Sequence, residues 1–592
     1  MKYKTLFILI LFIFLFDSSV YSAVEERIGL TALNSMERIG QNQKPYGASK
    51  VEIKSARNEV ESFQVVVAAL KENIKVIKAE VSDLIAKGGA KIGKDNIRLF
   101  RAEYVRVRRS TPRAELPPGL YTDPLVPFIN PITGKPIEPR RQFIKTDRWG
   151  APSTTVGYEM YAAPFEVFRG QNQPIWVDVY VPKNVAAGVY TGKLKVTATG
   201  NISAQIPVTL TVWDFTLPDG PTHRNHFGGF RNITRYFNVE RDSERFKDIE
   251  MRYCLEMAEH RINPPIPHSL LPKVNNDGSL NIIPERHKAL KEFINKLHVT
   301  DFEIPRAPFF SLRVSALKSD YKNISPTNRK KALRYYKEFY NYLKENGWEK
   351  RAYLYMWDEP NLRENYEQVI VLGQLVHEAV PQLRCLVVEQ PYPQDPSWPD
   401  IDPAVDIWCP LWGHIDRQAI NEKITHGDEV WSYTALVQRS PRYHPKSEKV
   451  NESDPPYWHI DRPLTVYRVP TWIDRQYNIT GLLYWSTITG GIIDPWRNPA
   501  FSHYGRHFNG GGFLFYPGLP CGIDGPIASM RIKNLRDGME DYEYFAILEK
   551  LAGKQAVKKI VDTIAPNWWS FSKEPHEFLA AREKLAEEIL RP

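Results

Sequence analysis

The sequence predicts an N-terminal antiparallel β-sandwich followed by a C-terminal (β/α)8 TIM barrel, and three observations carry that reading. Period-two alternation fills the first third of the chain, the punctuating stretch Leu217-Pro218-Asp219-Gly220-Pro221 follows, and beyond it short apolar runs alternate with long amphipathic helical patterns. The boundaries that result are 1–22 as a leader, 23–216 as the sandwich, 217–550 as the barrel and 551–592 as a C-terminal helical extension.

The leader has Lys2 and Lys4, an apolar run from Leu6 to Phe16, and the small residues Val20 and Ser22 before a cut preceding Ala23. This is the pattern of a cleavable secretory signal peptide, so a secreted or periplasmic protein is expected. The apolar run falls short of the about 20 residues that span a bilayer, and no cysteine stands near the cut to accept a lipid. No stable membrane insertion is expected; the competing reading is an uncleaved anchor.

In the sandwich the alternating segments are Glu59 to Leu70, Ile97 to Val107, Ile175 to Val181, Tyr190 to Thr199 and Ile206 to Trp213. In the third of these, Ile175, Val177, Val179 and Val181 share one face, and Trp176, Asp178 and Tyr180 the other. Residues 108–150, rich in proline and arginine, read as a long loop or insertion. The barrel strands are expected at 225–230, 262–267, 301–310, 352–359, 384–393, 406–411, 429–436 and 481–488. Helices such as Ser243 to His260, Pro284 to Leu297 and Asn328 to Asn346 separate them, and two more, Ser529 to Leu551 and Glu574 to Leu590, end the chain.

Composition bounds the function. With 42% hydrophobic and 25% charged residues the chain is neither disordered nor fibrous. Its 78 basic residues exceed the 69 acidic ones by a scattered excess that forms no nucleic-acid footprint. Four cysteines exclude a disulfide scaffold, and Cys385 and Cys409 are too offset along neighbouring strands to pair. The histidines show no metal-binding spacing and the glycines at 510–512 lack the context of a phosphate cradle, so no metal and no cofactor is expected.

Chemistry concentrates at the fourth barrel strand, Ala352-Tyr-Leu-Tyr-Met-Trp357-Asp358-Glu359-Pro360, where two adjacent carboxylates close an apolar run at the catalytic end of the barrel. Pro360 is expected to hold Glu359 extended and let both side chains reach the mouth. The competing reading is a helix start capped by one of the two acids. Many barrel glycosidases place a second carboxylate at the end of strand seven. Here that strand, Glu429 to Leu436, has its acid at the wrong end and offers Tyr433 instead. With no protein nucleophile in place, a 2-acetamido sugar can supply its own, its amide oxygen attacking the anomeric carbon. Glu359 would then be the acid/base, Asp358 would orient the amide, and Tyr433 would donate to the amide oxygen. Trp412, Trp431, Trp485 and Trp496 are candidate sugar-stacking surfaces or core residues. Asp494 and Arg497 would bind hydroxyls or each other, and Glu389 is the rival nucleophile.

The sequence resembles glycoside hydrolase family 123. The resemblance rests on Ser55-Ala-Arg-Asn-Glu59-Val-Glu-Ser-Phe63-Gln64, on Trp176 to Pro182 with Gly188 to Gly192, and on Trp357-Asp358-Glu359-Pro360 and Trp431-Ser-Tyr433. It extends through Asn509 to Gly518 and Arg531 to Tyr544. It implies a retaining β-N-acetylgalactosaminidase with a β-sandwich and a barrel, Glu359 as acid/base and Asp358 as the group that steers the acetamido arm. Gly511 stands where the resemblance leads one to expect aspartate, and Arg536 to Tyr544 reads as a packing and salt-bridge element. The partner expected is a glycan or glycoconjugate. Two alternatives stand beside this reading: a glycosidase of neutral glycans using Glu389 or another distant nucleophile, and a non-catalytic glycan-binding protein.

Overall fold

The computed structural model describes residues 27–138, 159–230, 232–310, 324–437, 455–489, 491–492 and 494–591. The leader expected at 1–22 lies outside these residues. No helix among them is long and apolar enough to cross a membrane.

Two sheets form the N-terminal sandwich. One runs in the order Ile28–Asn34, Glu59–Ala69, Asn172–Val181, Ile97–Val107, Gly119–Pro127, and the other in the order Val51–Arg57, Ser203–Thr216, Gly188–Ala198, Ile74–Val81, Phe165–Val167. All these pairings are antiparallel except Ser203–Thr216 with Val51–Arg57, which is parallel. The strand Gly119–Pro127 corrects the expectation of a loop throughout 108–150. Pro124 and Pro127 hide it from a pattern reading, and both are tolerated because the strand lies at the sheet edge. Ile175, Val177, Val179 and Val181 pack between the sheets, whereas Trp176 faces the barrel.

The second domain is built on one parallel sheet of seven strands, in the order Arg224–Phe227, Gly481–Tyr484, Glu429–Thr434, Ile407–Trp408, Cys385–Val388, Ala352–Asp358, Phe302–Glu303. This is a nearly closed barrel, and it corrects the expected eight strands: 262–267 forms none. Three prolines, Pro264, Pro265 and Pro267, occupy that segment, and a residue without an N–H cannot sustain a ladder. Side chains span the gap. Asn225 Nδ2 donates to the Arg261 carbonyl and its Oδ1 accepts from the Asn263 amide at 2.7 Å, while Asn263 Nδ2 donates to Thr300 Oγ1 at 3.0 Å and its Oδ1 accepts from the Thr300 amide at 2.9 Å.

The helix Met530–Ala552 joins the domains. Ser529 caps it through a bond from the Ile532 amide, and its residues are buried almost all the way round, charges included. Arg531 binds Asp123 of the sandwich at 2.9 Å, and Lys533 binds Asp178 at 2.8 Å. Burial alone would disfavour the Asp178 charge, but Lys533 and Arg536 outweigh it and hold that carboxyl well below the usual range. Helices Lys554–Ile564 and Pro575–Ile589 pack on it in turn, and Arg582 of the last reaches back to Glu59 and to Glu61 at 2.6 Å.

Asn263→Ala leaves several buried donors and acceptors at the barrel gap unpaired. Each such group costs about 1–3 kcal/mol, so a clear fall in the thermal unfolding midpoint is expected, measured by circular dichroism.

Candidate active site

Side chains of the parallel strands alternate between the barrel interior and the layer beneath the helices. Tyr353, Leu386, Val388, Ile407, Cys409, Trp431, Tyr433 and Leu483 fill the interior, and Leu354, Met356, Val387, Trp408, Val430 and Leu482 face outward. Strict alternation would continue Tyr353, Tyr355, Trp357 inward and turn Asp358 out. The fourth strand breaks that rule with a bulge. Tyr355 pairs with Leu386 and Trp357 with Val387, so Met356 is the extra residue, and both Met356 and Trp357 pack outward. Asp358 pairs with Val388 and so recovers the inner face.

Glu359 follows in the left-handed region, φ 48°, its amide donating to the Val388 carbonyl at 3.2 Å. The extended conformation expected of it is therefore corrected: the strand does stop at Asp358, but a left-handed turn, not an extended residue, brings Glu359 to the mouth. A non-glycine residue held there costs on the order of 1–3 kcal/mol and marks a position fixed by its surroundings.

Each carboxylate has a tyrosine from the barrel interior. Tyr355 Oη donates to Asp358 Oδ1 at 3.0 Å, and the Tyr433 hydroxyl donates to Glu359 Oε1. Both acids are accessible to solvent. Glu359 nevertheless has protein packed densely around it. The water it loses there pushes its carboxyl above the ordinary value, Asp358 pushes in the same direction, and the Tyr433 hydrogen bond opposes both. An acid whose proton affinity is raised, beside a second acid, suits proton transfer to and from a reacting group.

Three further groups complete the interior and were not singled out in the sequence. His226, on the first barrel strand, has Nδ1 2.6 Å from the Tyr353 hydroxyl and its ring 5.5 Å from that of Tyr355; burial pushes it down to about 4, so it is neutral near pH 7. Glu303 pairs with Tyr353 across neighbouring strands, which puts it on the same inner face, and its side chain is exposed. Tyr355 is the third. Their signal in the sequence is inner-face parity, once the register of each strand is known.

The remaining candidates separate. Trp485 follows Leu483 on the inner parity of the last barrel strand and is half-buried, its ring 5.4 Å from Phe501. Trp431 does not line the mouth: it fills the lower interior, 5.1 Å from Tyr353, with its indole N–H 3.4 Å from Glu429. Trp412 is buried outside the wall against Trp458, and Trp496 is buried against Tyr516 with its indole N–H donating to the Pro517 carbonyl. As sugar platforms these three are corrected, because large aromatics fill layers as readily as they line clefts. Asp494 and Arg497 approach each other to 3.9 Å, and Asp494 also accepts from the Trp496 amide.

Glu389 is 3% exposed and sits one residue beyond Val388, on the parity that leaves the interior. It accepts from Gln394 Nε2 at 2.9 Å, and the same Gln394 nitrogen donates to the Pro360 carbonyl. Burial pushes its carboxyl far up. A carboxyl this enclosed, on the parity that leaves the interior, is not presented to the mouth as the distant nucleophile would have to be; its bonds brace the turn carrying Glu359.

One His/Cys/Asp cluster occurs among the described residues: His377, Cys385 and Asp406, their candidate ligand atoms within 4.8 Å of one another. It lies where strands five and six begin, at the end of the barrel opposite the mouth. Asp406 Oδ2 is already engaged by His377 Nε2 at 3.0 Å and by the Cys385 amide at 2.7 Å. All four cysteines are unbridged and buried.

Comparison with known proteins gives a consistent set of likenesses. Residues 290–548 match the glycoside hydrolase 123 catalytic domain, and residues 145–198 match the glycoside hydrolase 123 N-terminal domain. Among solved structures, a family 123 glycoside hydrolase from Clostridium perfringens, described for its glycolipid glycan hydrolysis, superposes with a TM-score of 0.65 at 14% identity, covering 95% of this chain and 98% of that one. A GH5 xyloglucanase from Bacteroides ovatus gives 0.28 at 8% identity, covering 86% of this chain and 100% of that one, too low to argue from. No curated protein matches the chain.

Because the Glu389 carboxyl takes up its proton more readily folded than unfolded, it contributes stability that is lost as pH rises from the unfolded value through the folded one. Glu389→Gln removes that loss. Its unfolding midpoint is expected to equal or exceed that of the wild type at pH 8, whereas Glu389→Ala lowers the midpoint across the whole range, both measured by scanning calorimetry.

Proposed function

Since the chain belongs to glycoside hydrolase family 123 and is a glycoside hydrolase, we propose that it releases a terminal β-linked N-acetylgalactosamine from a glycan or glycoconjugate, with retention, by substrate-assisted catalysis. The observation that carries this reading is the Asp358–Glu359 pair: two carboxylates brought to one side of the mouth by a bulge and a left-handed residue, each held by its own tyrosine. Among the described residues, Glu389 is withdrawn from the interior, and strand seven presents Tyr433 where a nucleophilic carboxylate would stand.

In this reading Glu359, its proton retained by desolvation and by the neighbouring charge, protonates the departing glycosidic oxygen. The acetamido oxygen attacks the anomeric carbon from the opposite face and closes an oxazolinium ring, so no glycosyl–enzyme bond forms. Asp358, fixed by Tyr355, accepts the amide N–H and offsets the charge that develops on the ring. Tyr433, whose single hydroxyl proton goes to Glu359 in the free protein, redirects it to the acetamido oxygen when substrate is bound. Glu359, now ionised, then takes a proton from water, which opens the ring with overall retention. The likeness to the clostridial enzyme adds glycolipid glycans to the range of substrates. With 1–22 read as a cleaved secretory leader, the reaction would take place outside the cytoplasm.

The decisive test pairs aryl β-N-acetylgalactosaminide with aryl β-N-acetylglucosaminide and β-galactoside, with the product anomer followed by NMR. The expected outcome is a β product from the first and none from the galactoside, which has no acetamido group. Asp358→Asn should lose on the order of 10²–10³ in kcat and Glu359→Gln on the order of 10²–10⁴, both with unchanged circular dichroism. A glycosyl ester trapped on any side chain would overturn the mechanism.

The pH profile supplies a further check. Tyr433 stabilises the ionised form of Glu359, so removing its hydroxyl raises that pKa and keeps the acid protonated to higher pH. In Tyr433→Phe the alkaline limb of kcat/KM is expected to move upward in pH, alongside any loss of rate.

A further inference from the structure

Beside the mouth, the hairpin Ala500–His503 and Arg506–Asn509 turns through two residues, Tyr504 and Gly505, with φ of 45° and 72°. Positive φ at both central positions defines a tight turn that ordinarily takes Asn-Gly, Asp-Gly or Gly-Gly, because a bulky side chain is strained there. Tyrosine stands in it instead, and the residue is 92% exposed, the most exposed large hydrophobic residue among those described. Neither local stability nor burial explains that choice.

The ring does not stand alone. Trp485 lies 5.4 Å from Phe501, Phe501 is stacked 5.9 Å from His503, and His503 lies edge-on to Tyr504 at 4.2 Å. A continuous file of rings therefore runs from the last barrel strand to the tip of the hairpin. Its base is rigid: Asn509 Nδ2 donates to Asp461 Oδ2 at 3.0 Å, and Asp461 Oδ1 accepts from Thr111 of the sandwich. Alternation sends Ser502 and His507 to the other face, where His507 has Ser502 Oγ at 3.2 Å and Arg109 at 3.3 Å.

We propose that Trp485, Phe501, His503 and Tyr504 form a stacking platform for the part of the glycan beyond the sugar that is cleaved. This rests on the reading of the mouth given above and extends it to the rest of the substrate. Flat ring faces match the C–H faces of pyranose rings, successive rings match successive sugars, and continuity with the mouth identifies the occupant as the same glycan chain. The strained turn holds the outermost ring clear of the core and open to a ligand.

The test uses Tyr504→Ala and Tyr504→Asn in the full chain. Asparagine tolerates the left-handed turn, so Tyr504→Asn should match or exceed the wild-type unfolding midpoint while lacking the ring. The quantity read is kcat/KM on a tetrasaccharide ending in β-N-acetylgalactosamine, divided by kcat/KM on the aryl glycoside. It is expected to fall about threefold to tenfold in both variants, the size of one aromatic contact. Titration calorimetry with the tetrasaccharide, with Glu359→Gln added to both the parent chain and the Tyr504 variants to suppress hydrolysis, reads the same contact without turnover, so failure of the proposed chemistry and failure of the platform are told apart. An unchanged ratio with unchanged affinity overturns the platform. So does a loss in Tyr504→Asn that follows a lowered unfolding midpoint.

Discussion

A β-strand sends neighbouring side chains to opposite faces, and two adjacent acids can serve one site only where the chain escapes that rule. Here it escapes twice in four residues. The bulge at Met356 shifts parity by one, so Asp358 inherits the face of Tyr353 and Tyr355, and Glu359 then turns through a left-handed conformation to the same opening. The rest of the mouth follows. Tyr355 reaches Asp358 because both are on the inner face of the same strand; Tyr433 reaches Glu359 because strand seven presents its tyrosine at that height; and Gln394 links the turn to the enclosed Glu389. Local strain of this kind persists only inside a rigid frame.

That frame is unusually ionic. The helix joining the domains buries Arg531, Lys533 and Arg536 against Asp123 and Asp178 of the sandwich, and Arg468 meets Asp541 at 2.7 Å. Buried pairs of this kind add little net stability, but removing one partner is costly, so they fix which surfaces meet and in what register. The sandwich is thereby a structural wall of the barrel domain. Its loop at Thr111 touches the same Asp461 and Asn509 that anchor the hairpin beside the mouth.

Much of this was legible in the sequence, and the misses have physical causes. Period-two and helical patterns located the longer sandwich strands, the barrel strands outside 262–267 and five of the helices, because each buries one face; the strands Ile28–Asn34, Val51–Arg57, Ile74–Val81 and Phe165–Val167 and helices such as Arg363–Ala379 were not picked out. No strand forms at 262–267 despite its apolar character, because its prolines remove the donors a strand needs. Gly119–Pro127 was hidden for the opposite reason, its prolines being harmless at an edge. The acid pair was legible as chemistry, but the route by which both acids reach the mouth was not, since a bulge is a property of register between two strands. Trp412, Trp431 and Trp496 were indistinguishable from site residues in one dimension, and Tyr355, His226 and Glu303 emerged only when neighbouring strands were aligned.

The gap at the second barrel position has a consequence for how the chain becomes a protein. Among the described residues, the strand Arg224–Phe227 has a ladder on one side alone, with Gly481–Tyr484, about 250 residues downstream. During vectorial synthesis it must wait, unpaired, until nearly the whole polypeptide has emerged. Contacts so distant in sequence are slow to form, which makes the last barrel strand a keystone: its arrival closes the ring, shelters the waiting edge and sets the tempo of maturation.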